Sequence, residues 1–131
     1  MLEFLIPRRP LSLQAKPPGL RRWKEFVRAT AAAVWSDAPI VEKPIHLKLI
    51  YLCAQDPVDI DNIIKPIQDA LDGLVYENDV NVTDVEAHRR SLSGEYEVLH
   101  LPVLLLQGLY SGNECVYVRV ALANPTLEDI V

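Results

Sequence analysis

Seven acidic residues crowd into the 24 positions from 56 to 79, and their spacing suggests chemistry. Asp59 and Asp61 are two residues apart, which in an extended segment places both carboxylates on one side of the chain. Asp79 follows a helix-like stretch, and a turn there can return a third carboxylate to the first two. Grouped carboxylates repel one another unless protons or a cation neutralise them. The cluster therefore predicts a cation site.

An oxygen-rich site of this kind suits a hard divalent cation, Mg²⁺ or in its place Mn²⁺. Beside a phosphodiester, such a metal polarises the phosphate and orients an attacking water. Lys65 lies four residues after Asp61 and four before Asp69, so a helix would place its ammonium group close to both acids. That charge can balance the charge developing on the phosphate. A solvated acidic loop before an ordinary helix is the bland alternative, and spacing alone does not separate the two.

Other acidic motifs fit worse. An EF-hand loop starting at Asp59 needs Gly at its sixth position and Glu at its twelfth, where this chain has Ile64 and Ala70. An Asp-x-Asp pair is common, so it only weakly indicates a phosphatase or a glycosyltransferase. The five glycines form no phosphate-binding loop.

Hydrophobic periodicity predicts the elements that must position these residues. Strands are expected at 4–6, 45–52, 80–90 and 115–122, and helices at 20–35 and about 62–74, the latter capped by Asp61 or Asn62. Pro66 leaves the start of the second helix uncertain. This order predicts a mixed β-sheet flanked by two main helices, in the α/β or α+β class. The first helix should bury an apolar face of Trp23, Phe26, Val27, Thr30, Ala31 and Val34.

Length and composition predict one globular domain over residues 1–131. The longest apolar-rich stretch, 98–106, is interrupted by His100 and Pro102 and is too short to cross a bilayer. The first ten residues do not have the pattern of an export signal. Cys53 and Cys115 lie far apart without metal-ligand spacing, which indicates buried thiols in a reducing compartment. We therefore expect a cytoplasmic protein without membrane contact.

Charge is distributed unevenly along the chain. The net charge of −5 argues against a general nucleic-acid coat protein. Residues 1–30 nevertheless hold seven basic and two acidic residues, whereas 31–79 hold three basic and nine acidic ones. A basic arm before an acidic centre suits a protein that touches phosphates and concentrates carboxylates around a cation. A solvated basic helix is the bland alternative.

The run from Asp59 to Asp79 resembles the signature of the RusA family of Holliday-junction resolvases. That signature has Asp-x-Asp-Asn, a Lys three residues later, an Asp four after that, Leu-x-Gly and an acidic pair. The opening Ile6-Pro7-Arg8-Arg9-Pro10 is similar to the family's start. The resemblance implies a homodimeric, Mg²⁺-dependent endodeoxyribonuclease that cuts four-way DNA junctions in recombination and repair. By this resemblance the metal-binding catalytic carboxylates are Asp59, Asp61 and Asp79, the catalytic lysine is Lys65, and Asp69 is a supporting residue.

The sequence departs from the family pattern twice. Asn78 stands where the first acid of the pair is expected. Residues 94–113 form an insertion where the family turns quickly into its last strand. The apolar content of this insertion is compatible with a buried segment, a dimer-facing segment or a plain core strand.

Three functions remain open at this point. The first is a structure-selective endonuclease, whose dimer would match the two-fold symmetry of a junction. The second is a catalytically weak or inactive RusA-like DNA-binding protein of prophage origin. The third is a protein-interaction module that uses residues 98–110. For the first two, the predicted contacts to DNA phosphates are Arg8, Arg9, Lys16, Arg21, Arg22, Arg28, Arg89 and Arg90.

Overall fold

A computed structural model describes residues 1–42 and 44–131. The α+β class is confirmed, but the prediction of two main helices is wrong, because part of the 94–113 insertion forms a third α-helix. No helix in these two ranges is long and apolar enough to cross a membrane. In chain order the elements are β1 (Leu2–Ile6), α1 (Pro17–Ala32), β2 (Ile45–Cys53), α2 (Ile60–Leu71), β3 (Val82–Ser91), α3 (Val103–Ser111) and β4 (Cys115–Leu122).

The four strands form one mixed sheet in the order β1-β4-β2-β3. β2 is parallel to β3 and antiparallel to β4, so Leu49 lies opposite Ala87 on one side and Val118 on the other. Parallel neighbours need a crossover connection, and α2 supplies it between β2 and β3. The start of α2 thereby follows the end of the inner strand β2 after the loop of residues 54–59.

Alternating strand residues face two different layers. Helices α1 and α2 contribute Val27 and Ile67 to the main core, in which Phe4 and Leu49 of the sheet are also buried. Helix α3 packs Leu105 against a smaller cluster. Its buried members are Leu52, Leu105, Cys115 and Tyr117. Both cysteines are buried and free, as predicted.

Helix α3 approaches the sheet at Gly108. A Cβ atom added there would lie 2.9 Å from Cys115 Sγ and 3.3 Å from Leu52 Cδ1, so only glycine fits without a shift. Gly112 ends the helix in the left-handed region, with φ +69°. Within 94–113 the core-strand alternative is therefore wrong, because Leu105 and Gly108 are buried on a helix. A dimer-facing role for its outer side stays a prediction.

Helix α1 is shifted towards the N-terminus relative to the prediction. It begins at Pro17, because proline tolerates the first helical position, and it ends at Ala32. Val34 therefore lies beyond the helix and is exposed, so its predicted place on the apolar face is wrong. The buried face consists of Trp23, Val27 and Ala31.

Helix α2 tolerates the internal Pro66 because another segment takes over the missing hydrogen bond. Proline has no amide hydrogen to donate to the carbonyl four residues earlier, which here belongs to Asn62. The amide of Leu13 donates to that oxygen instead, with an N–O distance of 2.9 Å. Pro66 thus leaves the Asn62 carbonyl free to accept from Leu13, and this hydrogen bond attaches the loop before α1 to α2.

Candidate active site

Asp59 and Asp61 lie at the start of α2. The helix begins two residues earlier than predicted, so Asp61 and Asn62 are inside it and neither is the cap. Asp59 occupies the cap position in an extended conformation, but its side chain makes no capping hydrogen bond. Both aspartates are exposed. The carboxylate of Asp59 is thus not used to cap the helix, which leaves it available to a ligand.

Lys65 lies between two carboxylates on the outer side of α2. Its Nζ atom is 2.8 Å from Asp69 Oδ1 and 3.2 Å from Asp79 Oδ2. The Asp69 partner is the helical neighbour expected from spacing, whereas Asp79 arrives from beyond the helix. Hydrogen bonds to Asp69 and then to Asp79 raise the pKa of Lys65, so the ammonium form is favoured at neutral pH. Lys24 of α1 also reaches Asp69, at 3.3 Å.

A turn after α2 returns Asp79 to the helix. Gly73 adopts φ +77° in this turn. The backbone amide of Asp79 donates to Asp72 Oδ1 at 2.9 Å, and Asn78 Oδ1 accepts from the amide of Val80 at 3.0 Å. An aspartate at position 78 could make the same cap, so the Asn78 departure preserves the turn and removes only a charge. Sequence reasoning had not assigned this positioning role to Asp72.

The sequence predicts that the carboxylates of Asp59, Asp61 and Asp79 converge on one cation. Within 1–42 and 44–131, no group of three or more acidic, histidine or cysteine side chains is arranged to hold a metal ion. Asp79 is drawn to Lys65, and Asp59 and Asp61 lie at the helix start. The donor chemistry suits a hard divalent cation, because the side chains are carboxylates and two of them are exposed. The shared metal site stays a prediction.

Arg8, Arg9 and Arg28, which belong to the eight predicted DNA contacts, bind partners within the chain. The guanidinium of Arg8 stacks over the Phe26 ring at 3.7 Å. Arg28 donates to the carbonyls of Ala70 and Asp72 at the end of α2, at 3.2 and 2.7 Å. Arg9 Nη1 lies 3.0 Å from a Glu114 carboxylate oxygen.

The other predicted contacts form two exposed groups. Lys16, Arg21 and Arg22 lie at the cap and in the first turns of α1. Arg89 and Arg90 lie near the end of β3, where Arg89 Nη1 is 3.3 Å from the Val58 carbonyl oxygen. That contact brings β3 to the loop before Asp59. The exposed group on α1 is the stronger candidate for phosphate contact, because it combines three cations on one short segment.

Glu114 was not identified from the sequence. Its carboxylate accepts hydrogen bonds from the Tyr51 hydroxyl and from the Ala54 amide, both at 2.9 Å. A single acid before an apolar strand gives no signal in a sequence, because its partners lie 60 or more residues away. Only the fold shows that it lies beside the loop leading to Asp59.

Comparison with protein families identifies the family of this chain. A family model described as Endodeoxyribonuclease RusA matches residues 12–99. The chain belongs to the RusA family. The RusA match includes the whole run from Asp59 to Asp79, so the resemblance read from that run is confirmed, and it does not extend to α3 and β4. A search of curated proteins found no match.

Proposed function

We propose that this RusA-family chain is a Mg²⁺-dependent, structure-selective endodeoxyribonuclease that resolves four-way DNA junctions in recombination and repair. The observation that carries the proposal is the contact between Lys65 and Asp79, two residues to which the resemblance of the Asp59–Asp79 run assigns catalytic roles. A solvated helix would pair Lys65 with its helical neighbours alone, whereas the turn through Gly73 brings Asp79 back to it. This return is what a composite active site requires.

Each site residue then has a distinct role. Asp59, Asp61 and Asp79 would hold the cation, which when bound supplies polarisation of the phosphate and activation of water. Lys65 holds a positive charge beside the reacting phosphate. Asp69 contacts both Lys65 and Lys24, and thereby orients the Lys65 ammonium group without touching the substrate.

DNA binding is assigned to the exposed cations at the start of α1. Lys16, Arg21 and Arg22 would contact phosphates of the junction arms, and Arg89 and Arg90 would extend this surface along β3. The excess of basic residues within 1–30 lets a chain of net charge −5 bind DNA on one side. A cytoplasmic location is part of the same proposal, because a DNA substrate is found there.

We further propose a homodimer with one site per subunit, because a four-way junction has two-fold symmetry and needs two symmetric cuts. Residues 1–131 would form one nuclease domain with 94–113 as an insertion. The outer side of α3 and the turn before it supply an apolar stripe, of which Leu99 is 80% and Tyr110 83% exposed. The stripe consists of Leu99, Val103, Leu106 and Tyr110. Light scattering on wild type and Tyr110→Glu tests the dimer, which we expect the charge to dissociate.

A cleavage assay tests the proposed activity directly. A labelled four-way junction and a linear duplex of the same arm sequence are incubated with Mg²⁺ and either wild type or Asp61→Asn. We expect symmetric cuts in the junction, an intact duplex, and no cutting by the variant. Equal cutting of both substrates by wild type would contradict structure selectivity. Equal cutting of the junction by both proteins would contradict the assignment of Asp61.

A catalytically weak or inactive RusA-like DNA-binding protein is the second candidate. It is favoured by the missing charge at Asn78 and by the absence, among residues 1–42 and 44–131, of three or more side chains arranged to hold a metal ion. This candidate predicts that wild type binds the junction in a gel shift but leaves it uncut across Mg²⁺ and Mn²⁺. Restoring the charge with Asn78→Asp would then raise cleavage.

A further inference from the structure

The loop that joins β2 to α2 is held by a cluster of side chains around Glu114. Glu114 directly precedes β4, and its side chain is only 12% exposed. Its carboxylate accepts three hydrogen-bond donors from three different segments. These are the Tyr51 hydroxyl at 2.9 Å, the Ala54 amide at 2.9 Å and Arg9 Nη1 at 3.0 Å. We call these four residues the Glu114 cluster.

The Glu114 cluster contacts the loop at alternate residues. Glu114 binds the Ala54 amide, and Arg9 Nη2 donates to the Asp56 carbonyl at 2.7 Å. The Tyr51 hydroxyl accepts from the Val58 amide at 3.4 Å. The next residue is Asp59. The backbone is thus fastened at every second position up to the first proposed metal ligand.

The loop needs this support because its backbone is strained. Asp56 has φ +53°, the left-handed region that residues other than glycine rarely adopt. Such a conformation persists only when surrounding contacts determine it, and here Arg9 binds the carbonyl of that same residue. We expect that loss of the Glu114 cluster would let the loop relax and shift Asp59 and Asp61 with it.

We propose that Glu114 is a positioning residue for the Asp59–Asp61 pair, acting through Ala54, Arg9 and Tyr51. The proposal rests on the proposed function, because it assumes that these two carboxylates are the reacting ones. Glu114 itself does not touch the substrate. It also changes the expectation for Arg9, whose two terminal guanidinium nitrogens, Nη1 and Nη2, are hydrogen-bonded within the protein. Its loss should reduce turnover rather than DNA affinity.

The first experiment compares wild type, Glu114→Gln and the control Glu128→Gln, an exposed acid near the C-terminus. Single-turnover cleavage of a four-way junction is measured well below the melting temperatures of all three proteins. Junction affinity is measured without divalent cation, and Mn²⁺ affinity by calorimetry. For Glu114→Gln we expect cleavage at least about tenfold slower and weaker Mn²⁺ binding, with junction affinity within about twofold of wild type. The control should match wild type in all three measurements.

A purely structural role predicts a different pattern. It lowers the melting temperature but leaves cleavage rate and Mn²⁺ affinity unchanged in the folded protein, and that result would overturn the proposal. Tyr51→Phe serves if Glu114→Gln does not fold, because it removes one hydroxyl and keeps the buried ring. The double variant Arg9→Ala/Glu114→Gln should be no slower than the slower single variant, since the two residues act as one unit. Additive losses would contradict a shared action.

Amide hydrogen exchange separates this proposal from the proposed function. Exchange at Ala54 and Val58 should accelerate in Glu114→Gln and not in Glu128→Gln. If wild type does not cut the junction but this exchange pattern is found together with weakened Mn²⁺ binding, the positioning role stands and the proposed function fails. If wild type cuts and the exchange of both amides is unchanged, Glu114 does not hold the loop.

Discussion

The Nζ atom of Lys65 lies 3.2 Å from Asp79 Oδ2, although 14 residues separate them in the sequence. The contact closes the loop formed by the end of α2 and the turn through Gly73. Lys65 therefore contacts one carboxylate of its own helix, Asp69, and a second one, Asp79, from a segment outside the helix. A cation so placed can act on a substrate phosphate that approaches the same carboxylate.

Replacing Lys65 with alanine should separate catalysis from stability. Lys65 is 51% exposed, and exposed pairs contribute only about 0.3–0.5 kcal/mol each, so melting should stay near wild type. Removing a preorganised transition-state contact should slow junction cleavage by about a hundredfold or more. Lys65→Arg should rescue poorly, because a planar fork replaces a compact charge. Lys24→Ala is the matched control, because Lys24 also contacts Asp69 but belongs to α1. Equal losses of cleavage rate in Lys24→Ala and Lys65→Ala would contradict a special role for Lys65.

Divalent cations should stabilise the folded protein if the carboxylates bind one. At tenfold over the dissociation constant, mass action adds about 1.4 kcal/mol to the free energy of unfolding. Thermal unfolding with Mg²⁺ or Mn²⁺ should therefore shift upward in wild type and not in Asp61→Asn. A matched concentration of NaCl controls for ionic strength. An equal shift in both proteins would place cation binding elsewhere.

The exposed cations of α1 should set the salt dependence of DNA binding. Replacing Arg21 and Arg22 together with alanine should weaken junction binding. The slope of log affinity against log salt should fall by about one unit for each phosphate that is no longer neutralised. Arg119→Ala, an exposed position on β4, serves as the control. If binding and slope are unchanged, the DNA surface lies elsewhere, and Arg89 and Arg90 become the next candidates.

Acidification should weaken the Glu114 cluster. Burial raises the pKa of Glu114, but hydrogen bonds from the Ala54 amide, Tyr51 and Arg9 outweigh it and hold the pKa below its ordinary value of 4.5. A lowered folded-state pKa means that the carboxylate stabilises the fold above pH 4.5 and that this contribution disappears as the pH falls through the folded value. Burial, and after it the hydrogen bond with Glu114, raises the pKa of Tyr51 to about 12. The Tyr51 hydroxyl therefore keeps its proton and stays a donor over the whole acidic and neutral range. The free energies of unfolding of wild type and Glu114→Gln, measured with urea, should differ at about pH 7 and converge towards about pH 3. A difference that does not change with pH would contradict this linkage.

The close approach of α3 to the sheet should make Gly108 intolerant of a side chain. Gly108→Ala places a methyl group within 2.9 Å of Cys115 Sγ, and such overpacking typically costs about 1–3 kcal/mol. Gly19→Ala is the control, because the nearest atom to its added Cβ is 3.7 Å away and alanine favours helices. Urea unfolding should show a decrease in stability for the first variant and none for the second. Equal stabilities would mean that α3 can shift freely on the sheet.

Local sequence patterns determined the strands, the class of fold and the acidic centre of this protein. Alternation over positions 45–50 reports burial directly, because successive strand residues face opposite sides, whereas positions 115–118 are buried on both faces of the sheet. The family signature from Asp59 to Asp79 is also local, and the RusA match includes it. The predicted ends of the helices were less accurate, because Pro17 and Pro66 each resemble a helix breaker. Pro17 is tolerated in the first turn of α1, and the Leu13 amide makes the hydrogen bond to Asn62 that Pro66 cannot make.

The tertiary structure alone decided which charged residues act together. The contacts of Lys65 with Asp79 and of Glu114 with Ala54 and Arg9 join residues 14 to 105 positions apart, and no periodicity in the sequence links positions so distant. The 94–113 insertion shows the same limit, because its apolar run suits a strand as well as a helix. The structure shows that this segment is a helix, whose Gly108 packs against Cys115 of the sheet. Sequence patterns report a residue's own surroundings along the chain, whereas a site is assembled by packing between elements that the chain order keeps apart.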